Sequence, residues 1–568
     1  MPGAATGPAP GRSPQASGES PFLLDAAPLQ HFYQELPLSD SSSSSSPSSL
    51  SICIGRYSKR VRAVHLATQG ERLIHTWKRR ARQLKNKQDT GEVLCHFDHP
   101  HILRFFESFE DPKRAEIVTE ECAGKTLFEW IGSDGYLGER ECRVIIRQLL
   151  SALLYCHQRG VAHRDINLDS VFMQRKGEEG DVLTKLSGFD FAKRVGERQG
   201  GTRGGSVTFS TRTSSPYFFA PEMLDGSGYG MEADMWALGV VTYTLLCGYP
   251  PFFGDTDKAI ADSILSGTYT FYREDWKTVS ESAKDLIRLL LVSEASKRIT
   301  AAKALSHPWI AEIRPEVPRR IPVVPFLTSL LQRFYGVPRL PRLILVLATS
   351  LLDCSFRKKT KEEDKEEGVS IRGTAPDETL LEALEQARHL FVQFDRDGDG
   401  VFSINDLHVC LKEREEIEKE EFKNSAGLPE DFPEKLFQNE IVTATVKAQK
   451  QTDPFSLFLF TEFLASCLLL RNLQKQMLSL GRAAFLLLGP ERKGSGSSTF
   501  LVARPSSAFL KIPPSRWRLL APFKHTDSMT LPPNPDALKQ LDEDFRKASA
   551  LNDGLITSSF FENCLAVM

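Results

Sequence analysis

Three acidic residues near the middle of the chain have the spacing of a metal-binding loop. Asp395, Asp397 and Asp399 stand at alternate positions, and Gly400 follows where a sharp turn is needed. Carboxylates at positions one, three and five of a twelve-residue loop are the hard oxygen ligands that calcium prefers. The sequence therefore predicts a calcium site at residues 395–406. The alternative is a plain acidic surface loop.

The second half of this loop supplies weaker ligands. Val401 can offer its backbone carbonyl, and Ser403 can act through a water molecule. Asp406 holds the twelfth position, where a bidentate Glu is usual. We expect this shorter carboxylate to loosen the site and to reduce its discrimination against magnesium.

Three later segments keep only part of the same pattern. Residues 451–462 end in Glu462 but carry Gln451 and Phe455 at ligand positions, and residues 493–496 lack acidic side chains. Residues 552–560 retain Asp553 but place Phe560 where the closing Glu belongs. A loop with few charges cannot strip calcium of its water, so we expect these three units to pack without metal.

A second set of motifs runs from residue 163 to residue 310. It begins with His163-Arg164-Asp165 and continues with segments of fixed order and spacing, at residues 215–222, 234–240, 248–252, 297–299 and 307–310. This series resembles the C-lobe of calmodulin-dependent and calcium-dependent protein kinases. The resemblance implies a buried ion pair between Glu222 and Arg298, and it implies that Asp234 supports the catalytic-loop backbone.

The same resemblance implies that much of the metal chemistry is lost. Asp165 stands where the base that accepts the substrate hydroxyl proton belongs. Asn167 and Ser170 are degenerate positions of the catalytic loop, and Ser170 replaces the Asn that would hold magnesium. The metal-holding Asp-Phe-Gly triplet is reversed, so that Gly188 comes first and Asp190 last. We therefore expect a pseudokinase.

The N-terminal lobe departs furthest from the family pattern. Gly55 is the remaining glycine of the hairpin that should approach phosphate, and Thr76 is assigned to the position of the phosphate-pairing Lys. Counting back from residues 98–100 aligns Thr90 with the helix Glu that would pair this Lys. A two-residue slip of either assignment would instead bring in Lys78 and Glu92.

The adenine pocket is also altered. Thr119 is the expected gatekeeper, and Glu120 to Cys122 form the expected hinge. Phe172 replaces a slim aliphatic floor, and Ile74 replaces an Ala. This extra bulk should crowd the purine, so we expect binding of Mg-ATP to be weak or absent.

The order of these segments predicts an α+β bilobal protein-kinase-like fold followed by an all-α EF-hand domain. Residues 1–50 are rich in Pro, Gly, Ala and Ser and are predicted to be a disordered tail. Residues 51–310 form the kinase-like domain, residues 311–374 a junction with a charged linker, and residues 375–568 the EF-hand-like domain. Part of the junction, residues 330–344, is similar to the autoinhibitory helix of calcium-dependent protein kinases, so we expect it to contact the C-lobe and the EF-hand domain.

The amino-acid composition of the chain excludes some classes of function. The 568 residues carry 71 basic and 73 acidic side chains, so no global field attracts nucleic acid or an anionic membrane. The ten cysteines are scattered singly, which fits a reducing compartment. Apolar residues 343–352 are too few to cross a bilayer, which takes about 20 residues. We expect a soluble, cytoplasmic protein without a membrane span.

Three functional hypotheses follow. The first is a calcium-binding pseudokinase that regulates or scaffolds a protein partner. The second is an active atypical serine/threonine kinase that uses Asp165 as its base under calcium control, with a protein substrate. The third is a static scaffold in which the calcium site no longer has a role.

We predict that the full-length chain binds calcium with a stoichiometry near one and that Asp397→Ala abolishes binding, because residues 395–406 form the one loop with enough carboxylates. Isothermal titration calorimetry measures both quantities. Two or more tight sites would contradict the dismissal of the degenerate loops.

Overall fold

The structure is a computed structural model of the chain. It describes residues 33–36, 59–65, 70–78, 94, 97–110, 114–122, 124–176, 181–194, 215–225, 229–313, 323–337, 339–352, 378–403, 405–407, 409–410, 412–413, 456–470, 491–493 and 500–502. Gly55, Thr90 and Glu92 lie outside these residues, as do the loops at 493–496 and 552–560 except for Lys493.

An antiparallel sheet of five strands forms the first lobe, in the order β1-β2-β3-β5-β4. Its strands are β1 (Tyr33–Glu35), β2 (Lys59–His65), β3 (Glu71–Lys78), β4 (Phe105–Glu110) and β5 (Arg114–Glu120). Ile74 and Val118 face each other across β3 and β5, and both are buried with Phe109 in a small apolar core.

The edge strand β1 corrects the prediction that all of residues 1–50 form a disordered tail. Tyr33 pairs with His65 of β2, and its ring packs edge-on against Phe109. The Tyr33 hydroxyl donates a hydrogen bond of 2.6 Å to the buried Glu107 carboxylate. One buried aromatic residue with a satisfied hydroxyl thus holds this short strand on the sheet.

The second lobe is mainly helical. Its helices are α1 (Leu127–Asp134), α2 (Glu139–Gln158), α3 (Pro221–Leu224), α4 (Met231–Cys247), α5 (Asp257–Ser266), α6 (Arg273–Trp276), α7 (Glu281–Leu290), α8 (Ala301–Leu305) and α9 (Pro308–Ala311). Two small sheets join them, β6-β8-β9 and β10-β7, built from β6 (Lys125–Thr126), β7 (Val161–Ala162), β8 (Val171–Lys176), β9 (Asp181–Leu186) and β10 (Lys193–Arg194).

Helix α4 is the centre of this lobe and is apolar on all sides, as a buried helix must be. A Cβ atom at Gly239 would lie 2.9 Å from Leu290 Cβ and 2.8 Å from Leu291 Cδ2, so only glycine permits this approach of α7. The helix ends at Gly248, whose φ of 88° suits a left-handed cap.

The ion pair between Glu222 and Arg298 is confirmed. Arg298 Nη1 donates to Glu222 Oε1 at 2.7 Å and Nη2 donates to Oε2 at 3.1 Å, and both residues are buried. The guanidinium also donates to the carbonyl of Val292 and lies 5.1 Å from the Trp236 ring. The pair joins the segment around α3 to the turn before α8.

In the described part of the C-terminal region, bounds are defined for four helices and two strand pairs. These are α10 (Val323–Gly336), α11 (Arg339–Ser350), α12 (Glu378–Phe394), α13 (Phe460–Leu470), β11 (Val401–Ser403) paired with β12 (Ser456–Leu459), and β13 (Glu491–Lys493) paired with β14 (Phe500–Val502). Phe391 and Phe394 of α12 pack against Phe463 of α13 at 5.6 and 6.1 Å. Within the described residues, no helix is long and apolar enough to cross a membrane.

We predict that Arg298→Ala lowers the free energy of unfolding of the second lobe by about 3–5 kcal/mol, because it leaves the Glu222 carboxylate buried without its partner. Urea denaturation followed by the fluorescence of the buried Trp236, Trp276 and Trp309 gives this value. Arg288→Ala is the matched control, since the Arg288 side chain is 50% exposed and its pair with Glu281 is solvated. Equal losses for both variants would contradict a structural role for the buried pair.

Candidate functional site

The catalytic loop is held by one buried carboxylate. Asp234 accepts hydrogen bonds from the backbone N–H groups of His163, at 2.9 Å, and Arg164, at 2.7 Å. His157 Nε2 donates to the same carboxylate at 2.9 Å. The support that the resemblance implied for Asp234 is therefore confirmed, and Asp165 follows directly on this anchored backbone. Arg164 has a φ of 69°, an uncommon value for a side-chain-bearing residue.

The ring of His163 continues this scaffold. Burial lowers the pKa of His163 and so favours the neutral ring. Nε2 donates to the Ser187 carbonyl at 2.8 Å, and Nδ1 accepts from the Asp165 N–H at 3.3 Å. Phe189 packs against the His163 ring at 4.5 Å and against Phe97 at 5.4 Å. A continuous stack thus joins the catalytic loop to the reversed triplet.

Asn167 and Ser170 bond to the catalytic loop itself. Asn167 Oδ1 accepts from the N–H groups of Asp169, at 2.8 Å, and Ser170, at 2.9 Å, while its Nδ2 donates to the Asp165 carbonyl. The Ser170 hydroxyl donates to the Asn167 carbonyl at 2.9 Å and accepts from the Asn167 N–H at 3.0 Å. These hydrogen bonds close a local turn of the catalytic loop.

Gly188 begins the reversed triplet in a left-handed conformation. Its φ is 81° and its ψ is 33°, values that glycine adopts without steric cost. A Cβ atom at this position would lie 3.3 Å from Ser170 Cβ. Asp190 lies two residues further on, in the 3₁₀ turn Phe189–Phe191, and is half-buried. The resemblance assigns the position of the family's metal-binding aspartate to this glycine.

The register of β3 changes one assignment in the first lobe. Leu73 lies opposite Thr119, and strand alternation places His75 on that same face. His75 Nε2 and Thr119 Oγ1 are 3.1 Å apart. Thr76 lies on the other face, where its hydroxyl donates to Glu116 at 3.4 Å. The register therefore favours His75 over Thr76 for the position of the phosphate-pairing Lys.

An ion pair that the sequence did not predict involves Glu120, the first residue of the expected hinge. Lys185 Nζ lies 2.8 Å from Glu120 Oε1, and both residues are buried. Arg104 N–H also donates to Glu120 Oε1 at 2.8 Å, and the Glu120 N–H donates to the Arg104 carbonyl at 2.9 Å. Cys122 is half-buried, and Phe172 lies opposite Lys185 in the pairing of β8 with β9.

The predicted calcium loop brings its acidic residues together. One carboxylate oxygen from each of Asp395, Asp397 and Asp399 lies within 4.8 Å of the others. Burial, followed by repulsion from Asp399, raises the pKa of Asp395 well above its usual value. Burial also raises the pKa of Asp399. A divalent cation would relieve this repulsion, so the donor set fits calcium.

The backbone of this loop turns sharply at two glycines. Gly398 and Gly400 have φ values of 77° and 79°. Asp395 accepts from the N–H groups of both glycines at 2.9 Å. Val401 N–H donates to Asp399 Oδ1 at 2.9 Å, which ties the start of β11 to the acidic cluster.

Asp406 closes the loop by binding its backbone. Its carboxylate accepts from Arg396 N–H at 2.9 Å, from Ser403 N–H at 2.8 Å and from the Ser403 hydroxyl at 2.6 Å. Glu462 occupies the equivalent place after β12, where it accepts from the Leu459 N–H at 3.0 Å. The two loops therefore close in the same way.

The two loops also pair through their strands. Phe402 of β11 lies opposite Phe458 of β12, at the eighth position of each twelve-residue segment. Phe334 of α10 packs on Phe458 with ring centroids 5.5 Å apart. Helix α10 thus contacts β12 through Phe334.

The end of α11 contacts the first lobe. Arg104 donates to the carbonyls of Ser350 and Leu352, each at 3.3 Å, and Arg72 donates to the carbonyl of Leu351. Neither arginine was predicted from the sequence to make these contacts. A usable signal was Arg72, a charged residue followed by Leu73 and Ile74 in β3, because such a residue needs a partner when it is buried.

Comparison with known proteins agrees with this architecture. Residues 50–310 match the protein kinase domain family. Myosin light chain kinase A of Dictyostelium discoideum is 34% identical over 226 residues, which cover 40% of this chain and 73% of that kinase. Calcium-dependent protein kinase 33 of Arabidopsis thaliana is 30% identical over 368 residues, covering 57% of this chain and 68% of the relative. Calcium-dependent protein kinase 3 of Plasmodium berghei (strain Anka) is 26% identical over 401 residues, covering 71% and 62%.

The chain therefore belongs to the protein kinase family. Its similarity to the calcium-dependent kinases covers more of the chain than residues 50–310, so it extends beyond the kinase domain. The matched segments span from 55% to 68% of those relatives.

We predict that Gly188→Asp lowers the free energy of unfolding by about 1–2 kcal/mol, because a side chain there must adopt a left-handed conformation. The contact with Ser170 Cβ adds to this cost. Gly132→Asp is the matched control, since Gly132 is exposed in α1 with nothing within 4 Å of its Cβ position. A chemical denaturation series compares the two variants, and an equal effect would contradict the strain at residue 188.

Proposed function

We propose that this protein is a calcium-binding pseudokinase, similar to calcium-dependent protein kinases, that acts as a regulatory or scaffolding module. The observation that carries this proposal is the local closure of the catalytic loop. Asn167 and Ser170 form these hydrogen bonds within that loop, and Gly188 has no carboxylate that could bind a metal.

The phosphate side of the cleft supports the same proposal. His75 stands beside Thr119, where an active kinase needs a lysine for the phosphates. Removing one electrostatic stabiliser commonly lowers the rate by about 10²–10³. The positions of His75, Ser170 and Gly188 account for three such losses, so we expect binding of Mg-ATP to be weak or absent and turnover to be undetectable.

The alternative is an active atypical serine/threonine kinase, and one observation favours it. Asp234 still holds the backbone next to Asp165, and Phe189 still packs on His163. The backbone around the base position is therefore intact. In this alternative, Asp190 would supply the metal-binding carboxylate from two residues further along.

The calcium half of the proposal rests on an EF-hand pair with one metal-binding loop. Residues 395–406 carry the converging carboxylates, and the partner loop ending in Glu462 pairs with it through β11 and β12. Gln451 and Phe455 deprive that partner loop of ligands. We propose that calcium at the first loop acts through the junction on a surface for a protein partner, in the cytoplasm.

We predict no phosphoryl transfer from ATP to the full-length chain or to basic peptides, with or without calcium, because the metal and phosphate contacts are absent together. A radiometric assay with magnesium or manganese makes the measurement. Asp165→Ala is the control for contaminating kinases, since it removes the base without touching the docking of other domains.

Incorporation that disappears in Asp165→Ala would overturn the pseudokinase and establish the atypical kinase. A thermal-shift series with ATP separates binding from turnover. Stabilisation of about 2.7 kcal/mol at a hundredfold excess over Kd would mean that the pocket binds nucleotide even without catalysis.

A further inference from the structure

Arg62 stands on the face of the first sheet that the kinase resemblance assigns to the nucleotide cleft. It lies opposite Leu73 of β3, and Leu73 lies opposite Thr119 of β5. Side chains that are directly opposed in an antiparallel sheet project from the same face. Thr119 is the expected gatekeeper, and His75 lies on this face as well. A charged side chain therefore stands on the surface that a kinase presents to the nucleotide.

The Gly-rich pattern of kinases leads to the same position. In G-x-G-x-x-G-x-V, the valine comes seven residues after the first glycine. Counted from Gly55, that position is Arg62. The count along the chain and the register of the sheet thus agree. This chain carries an arginine where the pattern has a small apolar residue.

The guanidinium of Arg62 contacts two carboxylates. Its Nη2 donates to Glu71 Oε2 at 2.7 Å, and its Nε lies 2.6 Å from Glu121 Oε1. Glu71 lies two residues before Leu73, so it is on the same face of β3. Glu121 follows β5 directly and is the second residue of the expected hinge. We call this set of contacts the Arg62 bridge.

The bridge must cross the cleft face of the sheet. Strand β3 lies between β2 and β5, so the backbones of β2 and β5 are about 10 Å apart. To reach Glu121 from β2, the Arg62 side chain has to extend over β3 towards the hinge. The guanidinium therefore lies beside the hinge on the cleft face, which is the place that a purine ring would need.

The bridge is partly buried, so its charges depend on one another. The side chains of Arg62, Glu71 and Glu121 are 30%, 28% and 23% exposed. Burial raises the pKa of Glu121 to about 7, while Arg62 acts to lower this pKa and Glu71 to raise it. Without Arg62, two carboxyl groups would remain close together with no cation between them. The guanidinium is thus the group that stabilises the hinge carboxylate.

We propose that Arg62 fills the purine side of the cleft, where its guanidinium, held by Glu71 and Glu121, joins β2 to the hinge and excludes a purine ring. This inference rests on the proposed function, because it assigns the weak binding of nucleotide to a particular set of contacts. The chain itself then supplies the link between the sheet and the hinge, and the link needs neither nucleotide nor metal.

A double-mutant cycle in the full-length chain tests the bridge. Hydrogen–deuterium exchange is measured at residues 60–65 and 119–122 in Arg62→Val, Glu121→Gln and the double variant. We expect each single variant to raise exchange by about fivefold and the double variant to raise it no further, because both changes break the same contact. Single effects that multiply in the double variant would overturn the bridge.

Arg143→Leu is the matched control for the loss of a bridging arginine. Arg143 also contacts two carboxylates, those of Glu139 and Glu312, but it lies in the second lobe. We expect this variant to leave exchange at residues 60–65 and 119–122 unchanged. A rise equal to that of Arg62→Val would mean that the effect is a general loss of stability, and it would also overturn the bridge.

Calorimetry with adenosine tests the exclusion of a purine, because adenosine has no phosphate and its binding needs no metal. All proteins compared carry Phe172→Leu, which removes the other bulky side chain expected in the pocket. Adding Arg62→Val and Glu121→Leu replaces the charges by apolar groups, which suit a ligand pocket. We expect this variant to bind adenosine about tenfold more tightly than Phe172→Leu alone, a difference of about 1.4 kcal/mol.

The possible outcomes separate this inference from the proposed function. Equal affinity for adenosine, or no binding in either protein, would overturn the exclusion and leave the predicted absence of phosphoryl transfer standing. Phosphoryl transfer that depends on Asp165 would overturn the proposed function, while the exchange cycle would still decide whether the bridge exists.

Discussion

The buried carboxylate of Asp234 is the interaction on which the kinase-like domain depends. It accepts from two backbone N–H groups and one imidazole, and it is 1% exposed. Each donor is supplied by the protein, so none of this support requires nucleotide or metal. The catalytic loop can therefore keep its shape without a bound metal, and the stack of His163, Phe189 and Phe97 is built on that shape.

Polar residues of the cleft form hydrogen bonds and an ion pair that stabilise the fold. A buried polar group without a partner lowers stability by about 1–3 kcal/mol. A polar side chain is therefore tolerated in this cleft where it has a hydrogen-bond or ion-pair partner nearby. Asn167 and Ser170 have hydrogen-bond partners in the catalytic loop, and Glu120 forms an ion pair with Lys185. The result is a cleft whose hydrogen bonds hold the hinge and the loop in place.

The sequence predicted the second lobe better than the first. Glu222, Asp234 and Arg298 belong to motifs of fixed spacing, so their contacts could be inferred and are confirmed by the structure. Strand β3 carries its lysine at its last residue, Lys78, and a shift of one residue exchanges the two faces of the strand. That is why Thr76 was preferred to His75. Tyr33 was missed because its strand pairs with β2 across residues 36–58, which have a composition typical of disorder.

The hydrogen bonds between Asp98 and Thr461 of α13 were beyond prediction for a different reason. Asp98 and Thr461 are 363 residues apart in the chain, and neither belongs to a sequence motif that indicates a contact with the other. Local patterns indicate helices and loops, but they carry no information about which distant surfaces meet. The convergence of Asp395, Asp397 and Asp399 could be predicted because all three lie in one short segment.

The polar character of the contact that Asp98 and Arg104 make with Thr461 and the end of α11 has a consequence for its separation. An apolar surface of the same size would expose hydrophobic side chains on opening and would favour aggregation. Here, separation would expose a carboxylate, a guanidinium, a hydroxyl and helix-end carbonyls, all of which water solvates well. Separation of this contact would therefore cost less than separation of an apolar surface of the same size.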